Sequence, residues 1–182
     1  MSADHLSDAA SRAATEAKRL HPWVYAAFVL AVILIVTEIG IVGIKSTAAL
    51  RDLKGETFGF WQGVDAFLRQ ALRAAPAIAL AGALWCAQDY LARLGKGELW
   101  APSTAALVGE IGQSMTWAAA FEVVISPTIL HWLDQRGVVE LNLEPMPVVL
   151  GGLGVALIVI GRGLRDAVGA VGALKSEHDQ FV

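Results

Sequence analysis

The chain has 182 residues, 55% of them hydrophobic, and its mean hydropathy of +0.55 makes it more apolar than an ordinary soluble domain. Its 14 Lys and Arg face 17 Asp and Glu, a formal net charge of -3; without a basic block, this balance argues against nucleic acid as a direct partner. The single cysteine, Cys86, excludes an internal disulfide and a thiolate zinc site, and its apolar surroundings in the sequence indicate a packing role.

Four long apolar stretches are spread over the chain, at residues 23–44, 76–94, 111–133 and 148–163. A helix of about 20 apolar residues matches the ~30 Å hydrocarbon layer of a bilayer, and a spanning backbone must satisfy its own hydrogen bonds. We therefore predict an all-α protein, an integral membrane four-helix bundle whose surroundings are the lipid bilayer. Residues 22–174 form this four-span domain, between an N-terminal tail, 1–21, and a C-terminal tail, 175–182.

The first apolar stretch follows basic residues, as the core of a signal peptide does. A signal-peptide core has only about 7–15 apolar residues, and residues 23–44 form a longer run. We predict a retained helix here, preceded by a tail that suits either a surface helix or a disordered segment.

The connection after the first stretch, about thirty residues long, contains an amphipathic segment. Its apolar and polar residues lie on opposite helical faces: Phe60, Val64, Phe67, Leu68 and Ala71 on one, and Gln62, Asp65, Arg69 and Arg73 on the other. Asp65 and Arg69 have the four-residue spacing of a helical ion pair. The pattern predicts an interfacial helix in the first loop; the alternative is an outward extension of the second span.

The second stretch carries alanine at every fourth position from residue 71 to residue 87. Small residues at this spacing let membrane helices pack closely. The partner is another helix of the same chain or a second protomer, so a homo-oligomer stays open. Between the second and third stretches, Ser103 and Thr104 predict the beginning of a third helix, and Pro127 within the third stretch predicts a kink.

Orientation rests on the basic residues near the ends of the spans. Four spans place both termini on one side, and that side carries eight Lys and Arg against six on the other: Arg12, Lys18, Arg19, Arg93, Lys96, Arg162, Arg165 and Lys175 against Lys45, Arg51, Lys54, Arg69, Arg73 and Arg136. Because basic residues favour the cytoplasmic side, we predict that both termini lie in the cytoplasm.

Ionisable residues inside the bilayer are the first functional candidates, because each costs at least ~2.5 kcal/mol at the centre of a spanning helix. Glu122 lies near the middle of the third stretch and Glu38 about two-thirds along the first. At 1.5 Å per residue their depths differ by only ~6 Å, so the carboxylates could converge, share a proton or bind a cation. The alternative is that each is a neutral acid, hydrogen-bonded to Thr37, Gln88 or a backbone carbonyl.

Three other polar residues have simpler interpretations. His131, near the outer boundary, is read mainly as an interfacial ring beside Trp132 and only secondarily as a ligand. Asp89 and Arg162 have comparable predicted depths towards the inner side, which predicts an inner-leaflet ion pair between the second and fourth spans.

The sequence contains no H-E-x-x-H, G-x-S-x-G or Walker phosphate loop. The glycine-rich fourth stretch lacks the preceding strand of a dinucleotide site, and we interpret its glycines as packing residues. We therefore expect no enzymatic activity, no catalytic residues, no cofactor and no metal. The two halves also lack the inverted repeat typical of many transporters.

The second half of the chain nevertheless resembles a known family. The run from Gly97 to Pro102 that leads into a helix, together with the ending from Leu164 to Val182, is similar to the bacterial DUF2975 family. Leu99 and Trp100 stand where that family often has an aromatic pair, and Phe181 where it often has leucine; these are departures from the family pattern. The similarity covers residues 84–182.

The resemblance implies a small inner-membrane protein without an assigned activity. Genes of the family often lie beside that of a helix-turn-helix regulator, which implies a cytoplasmic protein partner. Independently, the predicted cytoplasmic tail carries the charged residues Lys175, Glu177 and Asp179, which suit either a docking tip or a solvated helix end. The leading hypothesis is a non-enzymatic regulatory or interaction subunit; the alternative is a small proton- or cation-coupled transporter that uses Glu38 and Glu122.

Overall fold

The structure is a computed structural model that describes residues 3–52, 58–98, 101–134, 137, 139 and 141–180, with side chains described for 11–41, 61–98, 101–134, 137, 139 and 141–170. Its elements are α1 (Ala3–Asp52), α2 (Phe58–Gly95), α3 (Pro102–Ala120), a π-helical turn (Phe121–Ile125), α4 (Ser126–Leu133) and α5 (Pro145–Gln180). These described residues contain no strand, which confirms the all-α prediction for them.

The first two helices are longer than the predicted spans. α1 is one 50-residue helix that takes in most of the N-terminal tail. α2 is one 38-residue helix in which the amphipathic segment continues directly into the second apolar stretch. The prediction of a separate interfacial helix is therefore wrong. The structure has the alternative, an outward extension of the second apolar stretch. Alanine-rich sequence joins the two parts, and alanine is the residue that favours a continuous helix most.

The third helical segment, defined as residues 102–133, consists of α3, the π-helical turn and α4 in direct succession. It begins with Pro102 at the first helical position after an extended Ala101. Ser103 and Thr104 thus lie inside the helix, and their assignment as caps is wrong. Thr104 is buried and its Oγ1 donates a hydrogen bond to the Glu98 carbonyl over 2.8 Å.

The helices form an open row rather than a closed bundle. α1 packs on α2, α2 on the third segment, and the third segment on α5. Within the described residues, the Cα atoms of α1 do not come within 8 Å of α3, α4 or α5, and those of α2 do not come within 8 Å of α5. The predicted four-helix bundle is not confirmed, because a closed bundle would also need α1 and α5 to have second neighbours.

Three helices are long and apolar enough to cross a membrane: Ser11–Ile41, Trp61–Gly95 and Pro145–Ala170. The predicted span 111–133 is not one of them, so the count of four spans stays a prediction. Large apolar side chains on the outer helices are widely exposed, for example Val36 at 63% and Val159 at 64% of their surface. Such exposure is costly in water and favourable in lipid.

Candidate functional site

Glycines bring α3 and α5 into backbone contact. A Cβ added to Gly112 would lie 2.5 Å from the Gly154 carbonyl oxygen and 2.8 Å from the Ile158 nitrogen. A Cβ on Gly161 would lie 2.5 Å from the nitrogen of Gly109. Only glycine permits this approach, so the packing role inferred for the glycine-rich stretch agrees with the structure.

Pro76 creates a polar contact between α2 and α4. Proline has no N–H, so the Leu72 carbonyl, four residues earlier, loses its helical donor. The Ser126 hydroxyl donates to that carbonyl over 2.8 Å, and Ser126 is buried. The hydrogen bond lost within α2 is thus replaced by one from the neighbouring segment.

Pro127, in the third helical segment, also leaves a carbonyl without its helical donor. The Val123 carbonyl, which an α-helix would pair with the nitrogen of residue 127, accepts a hydrogen bond from the Asn142 N–H over 2.9 Å. The Ser126 N–H reaches back to the Phe121 carbonyl, the five-residue step of a π-helix. The helix before Pro127 thus contains a π-helical turn, with the loop before α5 attached to it, and the predicted kink stays a prediction.

Glu122 lies on this π-helical turn, between two clefts that we call the Glu122 clefts. The first, of about 300 Å³, has mainly apolar walls that include Pro76, Leu80 and Met146. The second, of about 270 Å³, is more polar than the first, with Arg73 and Asn142 among its walls. Glu122 lines both clefts and is an ionisable group that could hold a proton or a cation there.

Glu38 has a different environment. Gln70, on α2 and only 9% exposed, donates from Nε2 to Glu38 Oε1 over 2.8 Å. Glu38 is thus hydrogen-bonded, but to Gln70 and not to Thr37, Gln88 or a backbone carbonyl, and a neutral Glu38 stays a prediction. The structure does not bring Glu38 and Glu122 together, because α2 lies between α1 and the third segment in the row.

Asp89 and Arg162 are also apart. Asp89 Oδ2 pairs with Arg93 Nε of the same helix over 3.2 Å, whereas Arg162 lines a cleft between α3 and α5. The predicted inner-leaflet pair is not formed, because the third segment separates α2 from α5. The four-residue spacing of Asp89 and Arg93 gives the carboxylate a nearer partner on its own helix.

The remaining predicted residues lie towards the ends of helices. His131 is half-buried in the last turn of α4, beside an exposed Trp132. Among the residues described, no cluster of three His, Cys, Asp or Glu side chains suits a metal ion. The backbone of α5 continues to Gln180, but the side chains of the proposed docking tail lie outside the described residues: Lys175, Glu177 and Asp179.

Another ionic contact joins α2 to the end of α4. Arg69 Nε binds Asp65 over 2.7 Å, as the spacing predicts, and Arg69 Nη1 binds Asp134 over 2.6 Å. The sequence interpretation missed Asp134, as it missed Ser126 and Asn142. For Ser126 and Asn142 the sequence did contain a signal. Pro76 and Pro127 each leave the carbonyl four residues earlier without its helical N–H donor, so that carbonyl needs another donor.

Comparisons of the chain with protein-family models, with curated proteins and with solved structures find no match. The resemblance to the DUF2975 family thus rests on the short sequence motifs alone.

Proposed function

We propose that this protein is a multi-pass integral membrane protein that acts as a non-enzymatic regulatory or interaction subunit. Three helices of sufficient length and apolarity support the membrane location. The third segment is proposed as a fourth span, because it packs on α2 along its length and on α5 through α3 and the π-helical turn. Both termini are proposed to lie in the cytoplasm of a bacterial cell, on the basis of the basic residues near the span ends.

The observation that carries the interaction role is the open row. Each of the two outer helices packs on one neighbour, and both broad faces of the row are uncovered in the described part. A single layer of helices offers wide surfaces to a membrane partner, or to a second copy of this chain. The motif resemblance adds a candidate cytoplasmic partner, a helix-turn-helix regulator, and the C-terminal end of α5 is the proposed docking element.

Crosslinking in native membranes tests this role. The full-length chain and a version truncated after Leu174 are each purified after crosslinking, and the bound proteins are identified. We expect a DNA-binding protein to be recovered with the full-length chain and lost with the truncation. Recovery of the same partners with both versions would contradict the docking role of the tail, and recovery of none would contradict the interaction role.

One observation favours the alternative, a proton- or cation-coupled transporter. Glu122 lies on a π-helical turn between the two Glu122 clefts, and π-helical turns are frequent at functional sites. The test is ion flux in liposomes with Glu122→Gln. Glu144→Gln, in the exposed segment before α5, is the matched control. Flux that is abolished only by Glu122→Gln would replace the interaction role with transport.

A further inference from the structure

A third cleft, of about 410 Å³, opens between α3 and α5. Gly109 and Gly161 form its floor, since the two backbones touch there. Glu110 and Gln113 project from α3, and Arg162 and Arg165 from α5. We call this the α3–α5 cleft; it shares no lining residue with the Glu122 clefts.

The walls of the α3–α5 cleft carry opposite charges that are not paired with each other. Glu110 Oε2 accepts a long contact of 3.9 Å from the Cys86 thiol. Among the ion pairs of the described residues, none joins Glu110 to Arg162 or Arg165 within 4 Å. Glu110, Arg162 and Arg165 therefore line one cleft without an ion pair between the carboxylate and either guanidinium group.

The depth of the cleft corresponds to the level of lipid headgroups. Arg162 lies 17 residues after the first residue of α5, Pro145, which is about 25 Å along a helix. This places it near the far boundary of a ~30 Å hydrocarbon layer. Val159 and Val155, one and two turns before Arg162, are exposed on the same side of α5. An apolar strip thus leads from the charged cleft towards the middle of the proposed membrane.

We propose that the α3–α5 cleft binds the headgroup of phosphatidylethanolamine. Arg162 and Arg165 bind the phosphate through charge-assisted hydrogen bonds, as arginine does in anion sites. Glu110 accepts hydrogen bonds from the primary ammonium group of the same lipid. Its acyl chains lie along Val155 and Val159. This inference rests on the membrane location that we proposed above.

The charge pattern distinguishes this lipid from its common relatives. The quaternary nitrogen of phosphatidylcholine has no N–H to donate to Glu110. Phosphatidylglycerol carries no cation, and its anionic headgroup would leave the carboxylate facing a negative ligand. Basic sites between spanning helices commonly bind anionic headgroups, but the carboxylate opposite the two arginines favours a zwitterion.

Native mass spectrometry of the full-length protein in detergent tests the proposal. The protein is titrated with the ethanolamine, choline and glycerol lipids, all with identical acyl chains. We expect the ethanolamine lipid to bind about tenfold more tightly than the choline lipid, the effect of one charge-assisted hydrogen bond. Equal binding of the three lipids, or a preference for the glycerol lipid, would overturn the proposal.

Variants test whether the preference for the ethanolamine lipid arises in the α3–α5 cleft. Glu110→Gln should remove the preference for the ethanolamine lipid over the choline lipid, and Glu110→Asp should keep part of it. Arg162→Gln combined with Arg165→Gln should weaken binding of all three phosphate lipids by about tenfold or more. Glu122→Gln and Arg73→Gln, matched changes in another cleft, should leave lipid binding unchanged. Helical content and gel-filtration volume confirm that each variant is folded.

Two further experiments distinguish the reasons for which the lipid proposal could fail. Competition with soluble glycerophosphoethanolamine, at concentrations equal to the lipid, should not displace the lipid; displacement would assign the cleft to a free phosphoethanolamine compound instead. Alkaline extraction of cell membranes tests the location independently. Protein that leaves the membrane on extraction would contradict the proposed function, whereas protein that remains but shows no headgroup preference would contradict only this inference.

Discussion

The α3–α5 and α1–α2 interfaces lie at opposite sides of the same row of helices, yet they are held together differently. At α3–α5, backbones touch through Gly112, Gly154 and Gly161. At α1–α2, the contacts are made by side chains: the Phe28 and Trp85 rings pack edge to face at 5.3 Å, and Gln70 binds Glu38.

The difference shows two ways of joining helices. Glycine contacts let the backbones of α3 and α5 pack closely along their interface, but they leave no room for an added atom. Side-chain contacts can adjust by rotation, so they tolerate change and contribute through a few specific interactions. We therefore expect substitutions at the α3–α5 interface to have the largest effects on stability.

The largest effect is expected for Gly112→Ala. The new Cβ would meet backbone atoms of α5 at 2.5 and 2.8 Å, and backbone cannot rotate away, so the helices must separate. We expect a loss of about 3 kcal/mol of unfolding free energy, measured as the detergent fraction at which SDS unfolds the protein. Gly152→Ala, whose Cβ would meet no atom within 4 Å, is the control and should be neutral or stabilising. Equal effects of the two changes would contradict the backbone contact.

Ser126→Ala tests whether the contact between α2 and α4, in the middle of the row, also depends on a backbone group. It removes the donor to the Leu72 carbonyl, which Pro76 leaves without a helical partner. An unsatisfied buried carbonyl should cost about 1–3 kcal/mol in the same unfolding experiment. Ser103→Ala, at an exposed position, is the control.

A second substitution isolates the cause of the Ser126→Ala effect. Pro76→Ala restores an N–H four residues after Leu72, so Ser126→Ala should cost much less in that background. A cost that is the same in both backgrounds would show that Ser126 stabilises the protein by another route.

Gln70→Leu removes the polar contact of the α1–α2 interface. It leaves Glu38 without its hydrogen-bond donor, and we expect a loss of about 1 kcal/mol, in the range of hydrogen bonds between membrane helices. Gln62→Leu, exposed on the same helix, should have no such effect. The double variant with Glu38→Leu should recover stability, because both polar groups are then absent; a further loss would argue against the pair.

The smallest effect is expected for Phe28→Leu. Leucine keeps apolar contact with α2 but loses the edge-to-face packing on Trp85, which is half-exposed. We expect a loss of about 0.5 kcal/mol or slightly more, and Phe28→Tyr, which keeps the ring, should be nearly neutral. A loss as large as that of Gly112→Ala would remove the distinction between the two interfaces.

The sequence by itself determined the helical class, the approximate place of the apolar segments and the local ion pair of Asp65 and Arg69. These properties depend on hydropathy and on spacings of three to five residues, which are set within one helix. For the same reason the loss of a helical donor for the Val123 carbonyl was predictable, since proline acts on the carbonyl four residues before it. The packing role of the glycines followed from composition, although their partners did not.

The tertiary structure alone decided which helices are neighbours. The closed bundle, the meeting of Glu38 with Glu122 and the pair of Asp89 with Arg162 all assumed contacts across the row, and the third segment and α2 stand between those residues. Depth along a helix can be estimated from sequence at 1.5 Å per residue, but the order and rotation of helices depend on which surfaces fit. Here the glycine contacts of α3 with α5 and the proline-freed carbonyls of Leu72 and Val123 are the visible determinants of that fit.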